Sequence, residues 1–290
     1  MTATGLLLSP FIEFGFMRRA LVGCFALALG CGPIGLFLVM RRMSLMGDAM
    51  SHAVLPGAAV GFILAGLSLP AMSIGGFAAG VLVVIAAGVV TRYTTIKEDA
   101  SLAAFYLMSL GLGVLLVSHF GSNIDLIHIL FGSVLAVDDG ALLLVTAIAT
   151  LSMFGLAVIY RPLLLDSFDP MFLQSVGARS NVYYLLFMVL VVLNLVAGFQ
   201  ALGTLMAVGL MMIPAVTARL WANSIGRMLA VAVGVAMLAG YVGLLASYHL
   251  DLPSGPAIVL SAGLIYLLSL FVAPQGGVLP RFIRGRHLSG

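Results

Sequence analysis

The chain has 290 residues, 62% of them hydrophobic and 8% charged, with a mean hydropathy of +1.22 and a formal net charge of +3. Soluble domains carry roughly 25% charged residues, so the composition excludes a water-soluble enzyme, a nucleic-acid binder and a disordered scaffold, and makes lipid the main solvent. The thirteen basic residues, with Lys97 the single lysine, stand alone or in pairs and bear on membrane topology rather than on an anionic partner.

A bilayer core takes about 20 apolar residues per helix. Runs of that kind lie at about 20–40, 48–66, 74–91, 101–117, 141–160, 183–199, 201–218, 228–247 and 256–273. Those at 101–117 and 183–199 are short, so the sequence predicts an all-α, polytopic membrane bundle of eight or nine transmembrane helices. Glu13 and then Arg18 and Arg19 precede the first run, and no small-residue cleavage site follows an apolar core, which argues against a signal peptide. Within that run Cys24 and Cys31 are seven apart and share a helix face, where free cysteine packs as a small hydrophobe. The sequence has no disulfide framework and no Cys-x-x-Cys pair.

The second run carries residues that an apolar helix does not need. After Arg41 and Arg42 come Ser44, Asp48, Ser51 and His52, followed by Pro56. An aspartate at the centre of a membrane helix costs roughly 2.5–3.5 kcal/mol on insertion scales and is functional by default. Residues four apart on a helix lie one above the other, so Asp48 and His52 present a carboxylate and an imidazole to one point. Pro56 lacks an N–H and deprives the His52 carbonyl of its helical partner. Such a set suits a divalent cation or a proton relay. Two structural readings stand beside these. One is a hydrogen-bonded Asp48–His52 pair that packs neighbouring helices. The other makes Asp48 a helix cap near the cytoplasmic end, since it lies only six residues past Arg42, about 9 Å along a helix.

Further along, Gly57/Gly61 and Gly76/Gly80 have the spacing that lets membrane helices approach closely. The segment 118–140 holds His119, Asp125, His128, Asp138 and Asp139, and 248–255 holds His249 and Asp251. These read either as solvated loop charges or as an entrance that gathers cations. Between the fifth and sixth runs, at about 161–180, Asp169 followed by Pro170 marks a helix start and Gly177 a stop. The short helix between them carries Met171, Phe172, Leu173 and Val176. It is too short to stand alone, and either folds back on its own bundle or inserts into a cytoplasmic protein. His287 sits in a basic tail with no specific role expected.

With the C-terminus inside, eleven of the thirteen basic residues fall in cytoplasmic segments, and 67–73, 118–140 and 248–255 contain no lysine or arginine. The positive-inside rule therefore predicts an N-out, C-in orientation, against which only Arg18 and Arg19 count. No repeat, low-complexity tract or linker divides residues 1–290, which read as one transmembrane domain. The chain has no Gly-x-x-x-x-Gly-Lys-[Ser/Thr] phosphate loop and no His-Glu-x-x-His, and Leu252-Pro253-Ser254-Gly255 is not Gly-x-Ser-x-Gly. An enzyme is not expected.

Several stretches carry a family likeness. They are Arg41-Arg42-Met43-Ser44-Leu45-Met46-Gly47-Asp48-Ala49-Met50-Ser51-His52-Ala53-Val54-Leu55-Pro56-Gly57, Lys97-Glu98-Asp99-Ala100 and Leu130-Phe131-Gly132-Ser133-Val134-Leu135. With them go Gln200-Ala201-Leu202-Gly203 through Pro214-Ala215-Val216-Thr217-Ala218-Arg219, and Leu252-Pro253-Ser254-Gly255-Pro256. From about 17 to 273 the chain resembles the permease subunits of the bacterial zinc, manganese and iron ABC importers, the metal ABC-3 type permeases.

The resemblance implies a homodimer in the bacterial inner (plasma) membrane, two cytoplasmic ABC ATPase subunits and an extracytoplasmic metal-binding protein. Membrane lipid surrounds it, nucleic acid has no part, and no cofactor is bound permanently. The transported ion would be Zn2+ or Mn2+, with Fe2+ as a third candidate. Asp48 and His52 match positions that bind or gate the metal, and the stretch from Asp169 to Gly177 matches the coupling helix that docks in the ATPase groove. His249 departs from the family pattern. The alternatives are a secondary metal/proton carrier without an ATPase, and a non-transporting membrane assembly or receptor protein.

Overall fold

The computed structural model describes residues 3–66, 68–120, 138–168, 180–275 and 277–278. Among them no strand occurs. The helices are α1 (Ala3–Glu13), α2 (Gly15–Met40), α3 (Met46–Ala53), α4 (Leu55–Ala65), α5 (Leu69–Tyr93) and α6 (Glu98–Phe120). They continue with α7 (Asp139–Phe168), α8 (Ser180–Leu202), α9 (Thr204–Trp221), α10 (Ile225–Leu250) and α11 (Ser254–Val272). Among the described residues nine helical segments are long and apolar enough to cross a membrane, α3 and α4 together making one. The two short apolar runs extend into helices of 23 residues each, α6 and α8, because polar residues at their ends complete the span.

Spans of similar hydropathy differ widely in how far the bundle buries them. The most apolar stretch of α2 is 83% buried, and α2 packs against α3, α7, α8, α9 and α10. The corresponding stretch of α6 is only 17% buried and leaves Leu107, Met108, Leu112 and Leu115 exposed, as a lipid-facing helix does. Helix α2 begins at Gly15, so Arg18 and Arg19 lie within its first turns and not ahead of it. There Arg19 meets Asp139 at 3.3 Å, which gives one of the two misplaced basic residues a partner. Residues before α2 form α1, which the apolar runs did not suggest; its Phe11 stacks on Tyr241 with ring centroids 5.4 Å apart.

Small residues let these helices touch backbone to backbone. Gly57 and Gly61 of α4 lie against the Gly75 and Ala71 carbonyls of α5, where any Cβ would collide. Gly35 of α2 lies in the same way against the Met211 carbonyl of α9. Cys24 and Cys31 are both fully buried in the packed core.

One polar contact sits deep in the bundle. The Asn194 amide of α8 donates to Ser152 Oγ of α7 at 2.6 Å and to the Leu190 carbonyl at 2.9 Å, with both side chains buried. Replacing Asn194 by alanine removes an interhelical hydrogen bond of a kind measured at about 0.6–1.7 kcal/mol in membranes. The expected result is a destabilisation of about 1 kcal/mol, read as a lower denaturation midpoint in detergent.

The two ends of the bundle are marked by contacts between helix termini. At one end the starts of α2 and α7 meet through Arg19 and Asp139, and Phe14 lies 5.7 Å from Tyr248 near the end of α10. At the other, Arg41 at the end of α2 pairs with Asp166 near the end of α7. There too the Gln275 N–H, past the end of α11, donates to the Leu220 carbonyl of α9 at 3.2 Å.

Candidate metal centre

The second span is built as a turn and two short helices. Helix α2 ends with Arg42 in the left-handed region, φ 62°, its N–H bonded to the Val39 carbonyl at 3.1 Å. The Met43 N–H reaches back to the Leu38 carbonyl at 2.9 Å. This pair of bonds is the Schellman stop, in which glycine is the usual left-handed residue. The chain then enters α3 without a side-chain cap, so Asp48 in its first turn is not the cap that the sequence left open. Its negative charge still suits the positive end of the helix dipole.

Asp48 and His52 fall on one face of α3, with Asp48 Oδ1 and His52 Nε2 3.8 Å apart. That separation is too long for a hydrogen bond, so the self-satisfied pair does not form. Two donor atoms so placed can both reach a single ion held about 2.1 Å from each. The side chains are 67% and 33% exposed, on a span whose other surfaces are apolar. Ser51 is buried and donates to the Asp48 carbonyl at 2.7 Å, which leaves the carboxylate uncommitted by that hydroxyl.

Pro56 near the start of α4 breaks the span at Val54, as its missing N–H requires. The Val54 N–H turns back on the carbonyls of Met50 and His52, and Ser109 of α6 donates to the Ala53 carbonyl at 2.9 Å. The carbonyls around the break thus have partners in the protein. Met46 and Met50 are buried beneath α3, and Met211 and Met212 of α9 approach Gly47, so the inner side of the pair is thioether and hydrocarbon. Among the described residues no group of three or more His, Cys, Asp or Glu side chains converges on one point. Asp48 and His52 thus stand as a pair of possible ligands with no third such side chain beside them among the described residues.

The other expected residues are placed less closely. His119 lies in the last turn of α6 and His249 in the last turn of α10, and both are exposed. Asp251 follows at φ 51°, the left-handed residue that closes α10, with the Leu252 N–H bonded to the Ser247 carbonyl at 3.2 Å. Asp138 caps α7 by accepting the Ala141 N–H at 2.8 Å, and Asp139 is the partner of Arg19. Three acids at this end of the bundle thus have structural duties. Asp125 and His128 lie outside the described residues, as do Asp169, Pro170, Met171, Phe172, Leu173, Val176 and Gly177.

Comparison with known proteins adds four findings. The model of the ABC 3 transport family matches residues 13–273. The manganese import system permease protein ScaB of Streptococcus parasanguinis is 38% identical over 263 residues, 91% of this chain and 92% of that protein. A probable iron transport system membrane protein of Haemophilus influenzae is 31% identical over 91% of this chain and 96% of its own length. Among solved structures, PsaBC from Streptococcus pneumoniae in complex with Fab superposes with a TM-score of 0.84 at 33% identity, covering 97% of this chain and 99% of that one.

Proposed function

The chain belongs to the ABC 3 transport family, and we propose that it is the membrane-spanning permease subunit of an ATP-driven importer of divalent transition-metal ions, with manganese as cargo. The observation that carries this reading is the Asp48–His52 pair, 3.8 Å apart and exposed on a membrane-spanning segment. A carboxylate facing hydrocarbon costs about 2.5–3.5 kcal/mol on insertion scales. A second copy of the chain, laid over α3, relieves that cost and brings its own Asp48 and His52 to the first pair. Four side chains then replace part of the ion's water, without which crossing hydrocarbon is prohibitive. Binding there is weak by design, because an ion held tightly is not released.

The sequence pattern supports an N-out, C-in orientation in a bacterial plasma membrane. In that orientation the end bearing Arg19, His119, His249 and Asp251 faces the solute-binding protein that delivers the ion. The acids there, with Asp125 and His128 of the same outer segment, add a field that draws cations. The Arg41 end faces two cytoplasmic ATPases. Residues Asp169 to Gly177, with Met171, Phe172, Leu173 and Val176 as the apolar knob, dock in them; this chain has no nucleotide loop of its own. The manganese and iron names of the relatives favour those two ions, and histidine with carboxylate accepts them as well as zinc.

Uptake of manganese, iron and zinc in competition tests the reading, in proteoliposomes holding this chain, its ATPase and its binding protein. The expected result is manganese accumulation only with ATP. Accumulation without ATP would make the chain a secondary carrier, and no accumulation of any of the three would point to the non-transporting assembly role.

A further inference from the structure

A buried ion pair at the Arg41 end is not used by the site described above. Arg41 Nη2 donates to Asp166 Oδ2, and Arg41 Nε to Ser167 Oγ at 3.3 Å. The two charged side chains are only 10% and 7% exposed. The guanidinium also lies 5.8 and 5.7 Å from the rings of Tyr184 and Phe187 on α8. Three helices, α2, α7 and α8, thus converge on one planar group whose donors fix direction as well as distance.

Stability does not account for such a pair. Burying two charges costs desolvation that an apolar pair of similar volume avoids, and such replacements are often neutral or stabilising. A buried pair does hold one geometry. The next residue, Arg42, sits at φ 62°, a strained conformation for a residue with a side chain, which persists only where its surroundings impose it. From there the chain has little slack. Met46 N–H bonds the Met43 carbonyl at 3.0 Å and Ala49 N–H the Leu45 carbonyl at 3.1 Å, which leads directly through Asp48. On the other side Asp166 stands three residues before Asp169.

We infer that Arg41 is a positioning residue that locks the turn leading to Asp48 and His52 onto the end of α7, so that movement of that end reaches the metal pair. The inference rests on the importer reading above. Coupling of this kind travels through contiguous packed and hydrogen-bonded groups, and here the chain of contacts runs from Asp166 through Arg41 and the 42–46 turn to α3.

The test uses the reconstituted complex and counts manganese ions imported per ATP hydrolysed. Arg41→Met and Asp166→Asn are expected to lower that ratio about tenfold, within the usual range of coupling between sites, while hydrolysis continues. The charge-swapped double variant Arg41→Asp/Asp166→Arg is expected to recover most of it. A merely structural pair would change yield and leave the ratio alone. If the single variants do not fold, the apolar pair Arg41→Met/Asp166→Leu is measured instead. A wild-type ratio in that protein or in either single variant overturns the inference, as does a swap that restores yield but not the ratio. Failure of the wild-type complex to import manganese at all would instead overturn the importer reading.

Discussion

Asp48→Ala and His52→Ala, alone and together, are expected to lower manganese uptake by about a hundredfold or more while ATP hydrolysis by the partner subunits continues. The magnitude follows from coordination chemistry: groups that only orient a metal ligand cost 10–100-fold when removed, and these two would be the ligands themselves. The two atoms face each other at 3.8 Å with no hydrogen bond between them, so neither removal leaves the other buried and unsatisfied. Folding should therefore be little changed. Asp48→Asn sharpens the test, because it keeps the shape and removes the charge. Normal uptake in the double alanine variant, with the protein at wild-type level, would make the pair structural.

Gly35→Ala is expected to be the most damaging single-methyl change in the central helix. A Cβ at that position overlaps the carbonyl oxygen and carbon of Met211, which are backbone atoms of α9 and cannot rotate aside. Helices α2 and α9 must then part, and overpacking of this sort costs about 1–3 kcal/mol. Gly88→Ala on α5 is the control: no neighbouring atom lies within 4 Å of its Cβ position. There the gain in helix propensity, up to about 1 kcal/mol in water, is unopposed. Denaturation midpoints of the two variants in detergent should move in opposite directions. Equal midpoints would mean that the α2–α9 contact is not tight.

The local parts of the site were legible in the sequence. Asp48 and His52 stood out because polar residues in an apolar run are costly, and their spacing of four placed them on one face. Pro56 was expected to free the His52 carbonyl by its missing N–H; the span instead breaks at Val54, whose N–H turns back on that carbonyl. Gly57 and Gly61 foretold a close helix contact, and their partners proved to be Gly75 and Ala71. Asn194 carries a signal of its own, an amide in the middle of the run at 183–199, where a polar group needs a partner. Arg41 bears in the sequence on topology and on the family likeness. Nothing near it in the chain shows that its carboxylate partner is 125 residues away.

What the sequence determined by itself follows from energies that act within one helix. They are the transfer of about 20 apolar residues into lipid, the placement of arginine and lysine, and the i, i+4 register of a carboxylate and an imidazole. These yield the spans, an expected orientation and the candidate ligands. Tertiary structure alone decided which helix is central, which acids at the Arg19 end are engaged by a cap, a turn or Arg19, and that Arg41 closes on Asp166. It also leaves the Asp48 side chain exposed and His52 partly exposed among the described helices. Such outcomes depend on which apolar faces fit together. In lipid that choice rests on backbone approach and on pairs of polar groups far apart in sequence, so a periodicity read along one helix does not contain it.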